Sequence, residues 1–155
     1  MPVTSIWNQL EDLLPQVQKP ARYVGLEGGA QAPEHRPEQA SWLLTYPDTY
    51  EVGLPNQGLQ ILYEIINEHE LGVAERSYAP WVDLEALLRE HKIPLFSVDT
   101  HRPAPEFDIL AFNLSAELVY TNVLNCIDLA GAPVRSADRR DTDLLIGAGG
   151  HCTYN

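Results

Sequence analysis

Short apolar runs alternate along this chain with segments whose apolar residues recur every three or four positions. The run "SWLLTY" (41–46) is continuous enough for a buried strand, and "FDILAFNL" (107–114) is apolar on both faces over most of its length. Between them, Leu59, Leu62, Tyr63 and Ile66 repeat at helical spacing through residue 68. "VAERSY" (73–78) reads as a weaker strand, and "PLFSV" (94–98) as a short one. Pro80 suits a first helical turn, Asp83 and Glu85 favour its positive end, and Leu84, Leu87 and Leu88 form its buried face. Ser115 is placed to cap a helix carrying Tyr120, Val123, Leu124 and Ile127, which Gly131 ends. "DLLIGAGG" (143–150) is a last strand running into glycines.

Strands that are apolar throughout need cover on both faces. The alternation therefore predicts an α/β fold, a doubly wound, Rossmann-like, mostly parallel sheet with helices on both sides. Residues 41–155 carry this pattern. Residues 1–40 read as a helix over 4–14, with Thr4 or Ser5 as cap, an apolar stripe of Ile6, Leu10, Leu13 and Leu14, and Pro15 as stop. A loop rich in glycine and proline (25–40) follows it. A doubly wound sheet normally continues beyond a loop such as "GAGGHCTYN", so the α/β region reads as an incomplete domain of a longer protein. Ligands of such sheets bind outside the carboxyl ends of the strands, where the strand order reverses. Any site should then be built from "PDTYEVG", "NLSAEL" and "GAGGHCTYN".

Composition narrows the function. The 155 residues carry a net charge of −12, which repels phosphate backbones and anionic membranes and argues against a nucleic-acid partner. No run of about 18 apolar residues is present, and the acidic, amphipathic start is unlike a signal peptide; the expected location is the cytoplasm. The two cysteines, Cys126 and Cys152, cannot make a tetrahedral site, and the five histidines show no ligand spacing. The adjacent His151 and Cys152 read as a chance pair in a polar loop. No Gly-x-Gly-x-x-Gly precedes a helix, and no nucleophile elbow is present, which places a nucleotide- or flavin-binding protein and a hydrolase lower in rank.

Taken together and in order, "KPARYVGLE" (19–27), "YPDTYEVGLPNQGLQILYEIIN", "ERSYAPWVDLEALLREHKIPLFSVDT", "FDILAFNLSAELVYTNVLNCIDLAG" and "LLIGAGGHCTYN" resemble the N-terminal cobalamin-binding-like domain of a family of cobalamin-binding radical SAM proteins. The likeness runs from residue 19 onward. Cobalamin domains carry Asp-x-His-x-x-Gly after the first strand, and the matching positions are Asp48, Tyr50 and Gly53. The acid and the glycine are kept, and tyrosine replaces the cobalt-ligating histidine. A later Ser-x-Leu becomes Asn113-Leu114-Ser115, and the glycine pair that admits the nucleotide tail is Gly149 and Gly150.

The resemblance implies a cofactor site of Asp48, Tyr50, Gly53, Asn113, Ser115, Gly149 and Gly150, taking cobalamin without a histidine ligand; a phenol with a pKa of about 10 is a poor cobalt ligand beside imidazole. It also implies a catalytic radical SAM domain as partner. That absent domain would hold the four-iron cluster and S-adenosylmethionine, because this chain lacks the Cys-x-x-x-Cys-x-x-Cys triplet. The chain would cover or dock on that domain. The alternative is a degenerate module that has lost cobalamin and only packs. On the residues alone, Asp48 capping a turn, Tyr50 packing on the sheet end, Gly53 permitting a positive φ and Gly149–Gly150 making a tight turn stand beside the cofactor reading.

Overall fold

The computed structural model describes residues 4–25, 27 and 34–154. Most of the glycine-rich part of the 25–40 loop, residues 26 and 28–33, lies outside the described residues. The elements in order are α1 (Trp7–Glu11), β1 (Ala40–Tyr46), α2 (Tyr50–Gly53), α3 (Gln57–Glu68), β2 (Gly72–Tyr78), α4 (Val82–His91), β3 (Ile109–Asn113), α5 (Tyr120–Leu129) and β4 (Leu145–Gly149). The four strands form one all-parallel sheet in the order β2-β1-β3-β4. This is the expected α/β architecture, and its order reverses between β1 and β3.

Side chains alternate across the sheet. Leu43, Leu110 and Phe112 point to one face and join the larger core, with Leu84 and Leu88 of α4 and Cys126, Ile127 and Leu129 around α5. The N-terminal segment belongs to the same core through Ile6, Leu10, Leu13 and Leu14. On the other face, Leu44, Tyr46, Ala74 and Tyr78 pack with Leu59 and Tyr63 of α3. That second layer consists of α3, which contacts β1 and β2.

Four local expectations are corrected. The 94–98 strand is absent from the sheet, with only an isolated bridge from Phe96 to Pro103. Pro94 has no N–H, and the remaining donors scatter: Leu95 to Leu129, Ser97 to Arg102, Val98 to Arg76. The helical pattern over 4–14 yields a short α1 followed by a 3-10 turn at Leu14–Gln16 that contains Pro15. Ser115 does not cap a helix; its hydroxyl donates to Asn113 Oδ1, and α5 starts after Val119 with no side-chain cap. Cys152 lies buried in the main core, not in a polar loop.

β2 is more constrained than its sequence reads. All seven residues are buried, including Glu75 and Arg76. Glu75 accepts from Ser97 and Thr100 and contacts His35 Nε2 at 2.6 Å. Burial pushes its carboxyl up, but the hydrogen bonds of His35, Ser97 and Thr100 outweigh this and hold it below the usual value.

Candidate functional site

β1 ends at a tight loop. The Asp48 carboxylate accepts from the backbone N–H of Thr49 at 2.7 Å, and its carbonyl accepts from Ala79 at 3.0 Å. This ties the ends of β1 and β2 together, so Asp48 serves its own turn. Tyr50 begins α2, its ring edge-on to Tyr78 with centroids 5.3 Å apart. The Tyr50 hydroxyl donates to the Glu27 carboxylate. Glu27 also holds Arg76 at 2.8 Å, and Arg76 pairs with buried Asp99 at 2.7 Å while its guanidinium lies over the Tyr63 ring. Burial and then Glu27 push the Tyr50 phenol well above its ordinary value. Burial works against the charge of Arg76, yet Asp99 outweighs it and keeps the guanidinium charged. The Tyr78 hydroxyl is buried with no hydrogen-bond partner among the described residues.

Gly53 has a different role from the one expected. Its φ is not positive. A Cβ there would lie 2.5 Å from the Tyr78 ring and 2.9 Å from Tyr46 Cβ. The glycine is needed for close approach of α2 to the sheet end. Its neighbour Glu51 turns outward to Arg22 at 2.9 Å and Lys19 at 3.2 Å, and the Arg22 hydrogen bond lowers its carboxyl to about 2.

The other predicted residues gather on the far side of β1. Asn113 ends β3, and its amide donates to Asn56 Oδ1 at 3.3 Å. Asn56 caps α3 by accepting from Leu59 N at 2.9 Å. Gly150 has φ +116, and a Cβ would come within 2.4 Å of the Leu114 carbonyl. Gly147 and Gly149 differ, since among the described residues nothing lies within 4 Å of where their Cβ would be. They open onto a groove of about 780 Å³ between α3 and the β1-β3-β4 face, lined by Trp42, Leu62, Ile109, Asn113, Leu145 and Gly149 among others. Asp48, Tyr50 and Gly53 are not in its lining.

The structure thus divides the predicted site in two. Asn113, Gly149 and Gly150 line the groove at its carboxyl end, and Ser115 joins them through its hydrogen bond to Asn113. Asp48, Tyr50 and Gly53 belong to the β1–β2 end, with Glu27, Arg76 and Tyr78. Glu27, Arg76 and Asn56 did not stand out in the sequence. The available signals were the adjacent Glu75 and Arg76 inside β2, since buried charges require partners, and Asn56 standing just before a helical pattern as a capping residue type. Among the described residues, no group of three or more His, Cys, Asp or Glu is arranged to hold a metal. No helix among them is long and apolar enough to cross a membrane.

No curated protein and no solved structure matches the chain. The family described as "Radical SAM proteins, N-terminal" matches residues 58–155, from α3 through β4 and the loop after it. That span holds Asn113, Ser115 and the glycine pair and leaves Asp48, Tyr50 and Gly53 outside. With more than half its length matched, and with the parallel α/β sheet in place, the chain belongs to the family of N-terminal domains of radical SAM proteins.

Proposed function

We propose that this chain is a cytoplasmic, cobalamin-binding accessory domain of a radical SAM enzyme, one that leaves the cobalt without a protein ligand. The observation carrying the reading is the groove mouth. Gly149 presents bare backbone there beside Asn113, which suits the close approach of a nucleotide tail. Bound cobalamin would supply cobalt-centred chemistry to the parent enzyme. Residues of this chain would hold the tail and exclude water beneath the corrin. Tyr50 does not fit the role of ligand, because its hydroxyl is committed to Glu27 and its ring to Tyr78. It fits a packed floor.

Docking of a catalytic radical SAM domain on the carboxyl end of the sheet is part of the same proposal. Each strand-end loop exposes a large apolar side chain: Val52, Trp81 and Val82, and then Leu118 and Tyr154, each 92 % accessible. Such residues on four converging loops support an interface.

Titration with hydroxocobalamin, followed by visible and electron-paramagnetic spectra, tests the reading. Saturable binding without a protein nitrogen signal is the expected result. A signal from axial protein nitrogen would refute the unligated geometry. No binding at millimolar cobalamin by this chain and by its full-length parent would favour the packing-only module, which the locked Tyr50 hydroxyl already supports.

A further inference from the structure

Glu75 and Arg76 are consecutive in β2, so their side chains point to opposite faces of the sheet. Arg76 meets Glu27 on the α3 side, and Glu75 meets His35 on the other. His35 stands between two groups of fixed hydrogen-bonding sense. Its Nε2 lies 2.6 Å from Glu75 Oε1, and its Nδ1 faces Nη1 of Arg102. An ionised carboxylate only accepts, and a guanidinium only donates. The two contacts therefore fix one state of the ring: neutral, donating its Nε2 proton to Glu75 and accepting from Arg102 at a bare Nδ1.

A second ring proton, taken from solvent onto Nδ1, breaks this arrangement. Nδ1–H would then point at an N–H of Arg102, placing two donors and two positive charges in contact. Glu75 pulls the other way, because a buried carboxylate gains a charged partner when His35 becomes cationic. Asp108 also favours the cation; its carboxyl is held below the usual value chiefly by the Ser41 hydrogen bonds and further by Arg102 and His35. The other charged groups nearby are committed elsewhere, Asp99 to Arg76 and Glu106 to Arg102, while Glu34 and Arg36 beside His35 are exposed. A charged His35 thus keeps Glu75 and loses Arg102.

Arg102 is the member free to move. Its Nε is buried with no hydrogen-bond partner among the described residues, so its present place leaves a donor unsatisfied. What else holds it is the Glu106 carbonyl at Nη2 and the Phe107 ring beneath the guanidinium at 4.6 Å. The residue before it, His101, has φ +60, in the left-handed region that non-glycine residues seldom occupy. This turn also carries the N-terminal segment. The Ile6 N–H donates to the His101 carbonyl at 2.9 Å, the Ser5 hydroxyl to the Thr100 carbonyl at 3.0 Å, and the Ser97 N–H to the Arg102 carbonyl at 2.9 Å. We propose that His35, Glu75 and Arg102 form a pH-sensitive latch. It is closed while neutral His35 bridges the other two. Protonation of the ring releases Arg102 and loosens the 97–102 turn that holds the N-terminal segment. The latch shares no residue with the groove or with Tyr50, so it stands or falls apart from the cobalamin reading.

The test uses the 155-residue chain, labelled with nitrogen-15, in long-range nitrogen–proton spectra that separate the ring tautomers from about pH 8 down to about pH 5, across the ordinary histidine range. At the upper end His35 should show the Nε2–H tautomer. As its Nδ1 takes a proton, the Arg102 Nε signal should move with the same midpoint. Over the same range, hydrogen-exchange protection of the Ile6 and Ser97 amides, corrected for intrinsic rate, should fall several-fold while that of Leu110 in β3 holds. His35→Gln, whose amide donates to Glu75 and accepts from Arg102 at any pH, should keep that protection constant. Arg102→Gln removes the opposing charge and should raise the His35 midpoint by about one pH unit. An Nδ1–H tautomer at the upper end, an Arg102 signal indifferent to the His35 titration, or a midpoint unmoved by Arg102→Gln overturns the proposal. If Arg102→Gln does not fold, the wild-type tautomer and the paired Arg102 signal still decide. Loss of protection that persists in His35→Gln also overturns it, in favour of His101, whose Nε2 lies 2.8 Å from the Tyr23 carbonyl in the same turn.

Discussion

Replacing Glu75 with glutamine tests whether the charge in β2 holds the domain together. The side chain has no exposed surface and receives hydrogen bonds from Ser97 and Thr100 while contacting His35. Glutamine keeps the shape but offers one acceptor oxygen where the carboxylate offered two. Its amide nitrogen must then face a donor or force a hydroxyl to turn. Breaking one side of a buried charged network costs about 3–5 kcal/mol when the partner is left stranded; the two hydroxyls can reorient, so we expect about 2–3 kcal/mol. For a chain of this size that is a drop of roughly 4–12 °C in Tm. The pH dependence has a definite sign. The folded pKa of Glu75 lies below its ordinary value of 4.5, so its contribution is complete above that value and is lost as pH falls through the lower, folded one. The gap between wild type and Glu75→Gln should therefore be full at pH 7 and shrink as pH falls below the ordinary value of 4.5 toward the lower, folded one. Urea unfolding followed by circular dichroism at pH 7 and pH 3.5 measures both. A variant within about 0.5 kcal/mol of wild type at pH 7, the usual range for a surface change, would refute the reasoning.

Three further outcomes follow from the same contacts. Gly53→Ala gains helix propensity of about 1 kcal/mol but drives a methyl into the Tyr78 ring; overpacking at about 1–3 kcal/mol should leave it net destabilised in the same urea assay. Gly150→Ala, at φ +116 and against the Leu114 carbonyl, should cost about 3 kcal/mol and shift the groove-mouth amide signals in a nitrogen–proton correlation spectrum. Cys126, with its thiol pushed up to about 12 by burial, and buried Cys152 should both resist a thiol-specific reagent at pH 8 until urea unfolds the chain; rapid native labelling of Cys126 would contradict its placement in the core.

The pattern of the chain was enough to determine the class of fold. "SWLLTY" is buried on both faces over most of its length, while "FDILAFNL" buries Leu110 and Phe112 on one face and leaves Ile109, Ala111 and Asn113 half-buried along the groove; runs of that composition point to the interior of a parallel sheet. The carboxyl-end loops were legible for the same reason, since strand ends and helix starts locate them. Periodicity did not distinguish the two apolar stripes of α3, because Leu59, Leu62, Tyr63 and Ile66 read as one face. Only the placement of α3 over β1 and β2 shows that Leu59, Tyr63 and Ile66 pack while Ile61, Leu62 and Ile65 remain open. "PLFSV" looked like a strand because composition records burial and not where backbone donors go. The commitment of Tyr50 also lay beyond sequence. Glu27 and Arg76 are 23 and 26 residues away from it in opposite directions, and no local spacing relates them. Their meeting depends on how β2 and the entry segment converge at the sheet end, where a buried guanidinium must find carboxylates and a buried phenol must find an acceptor.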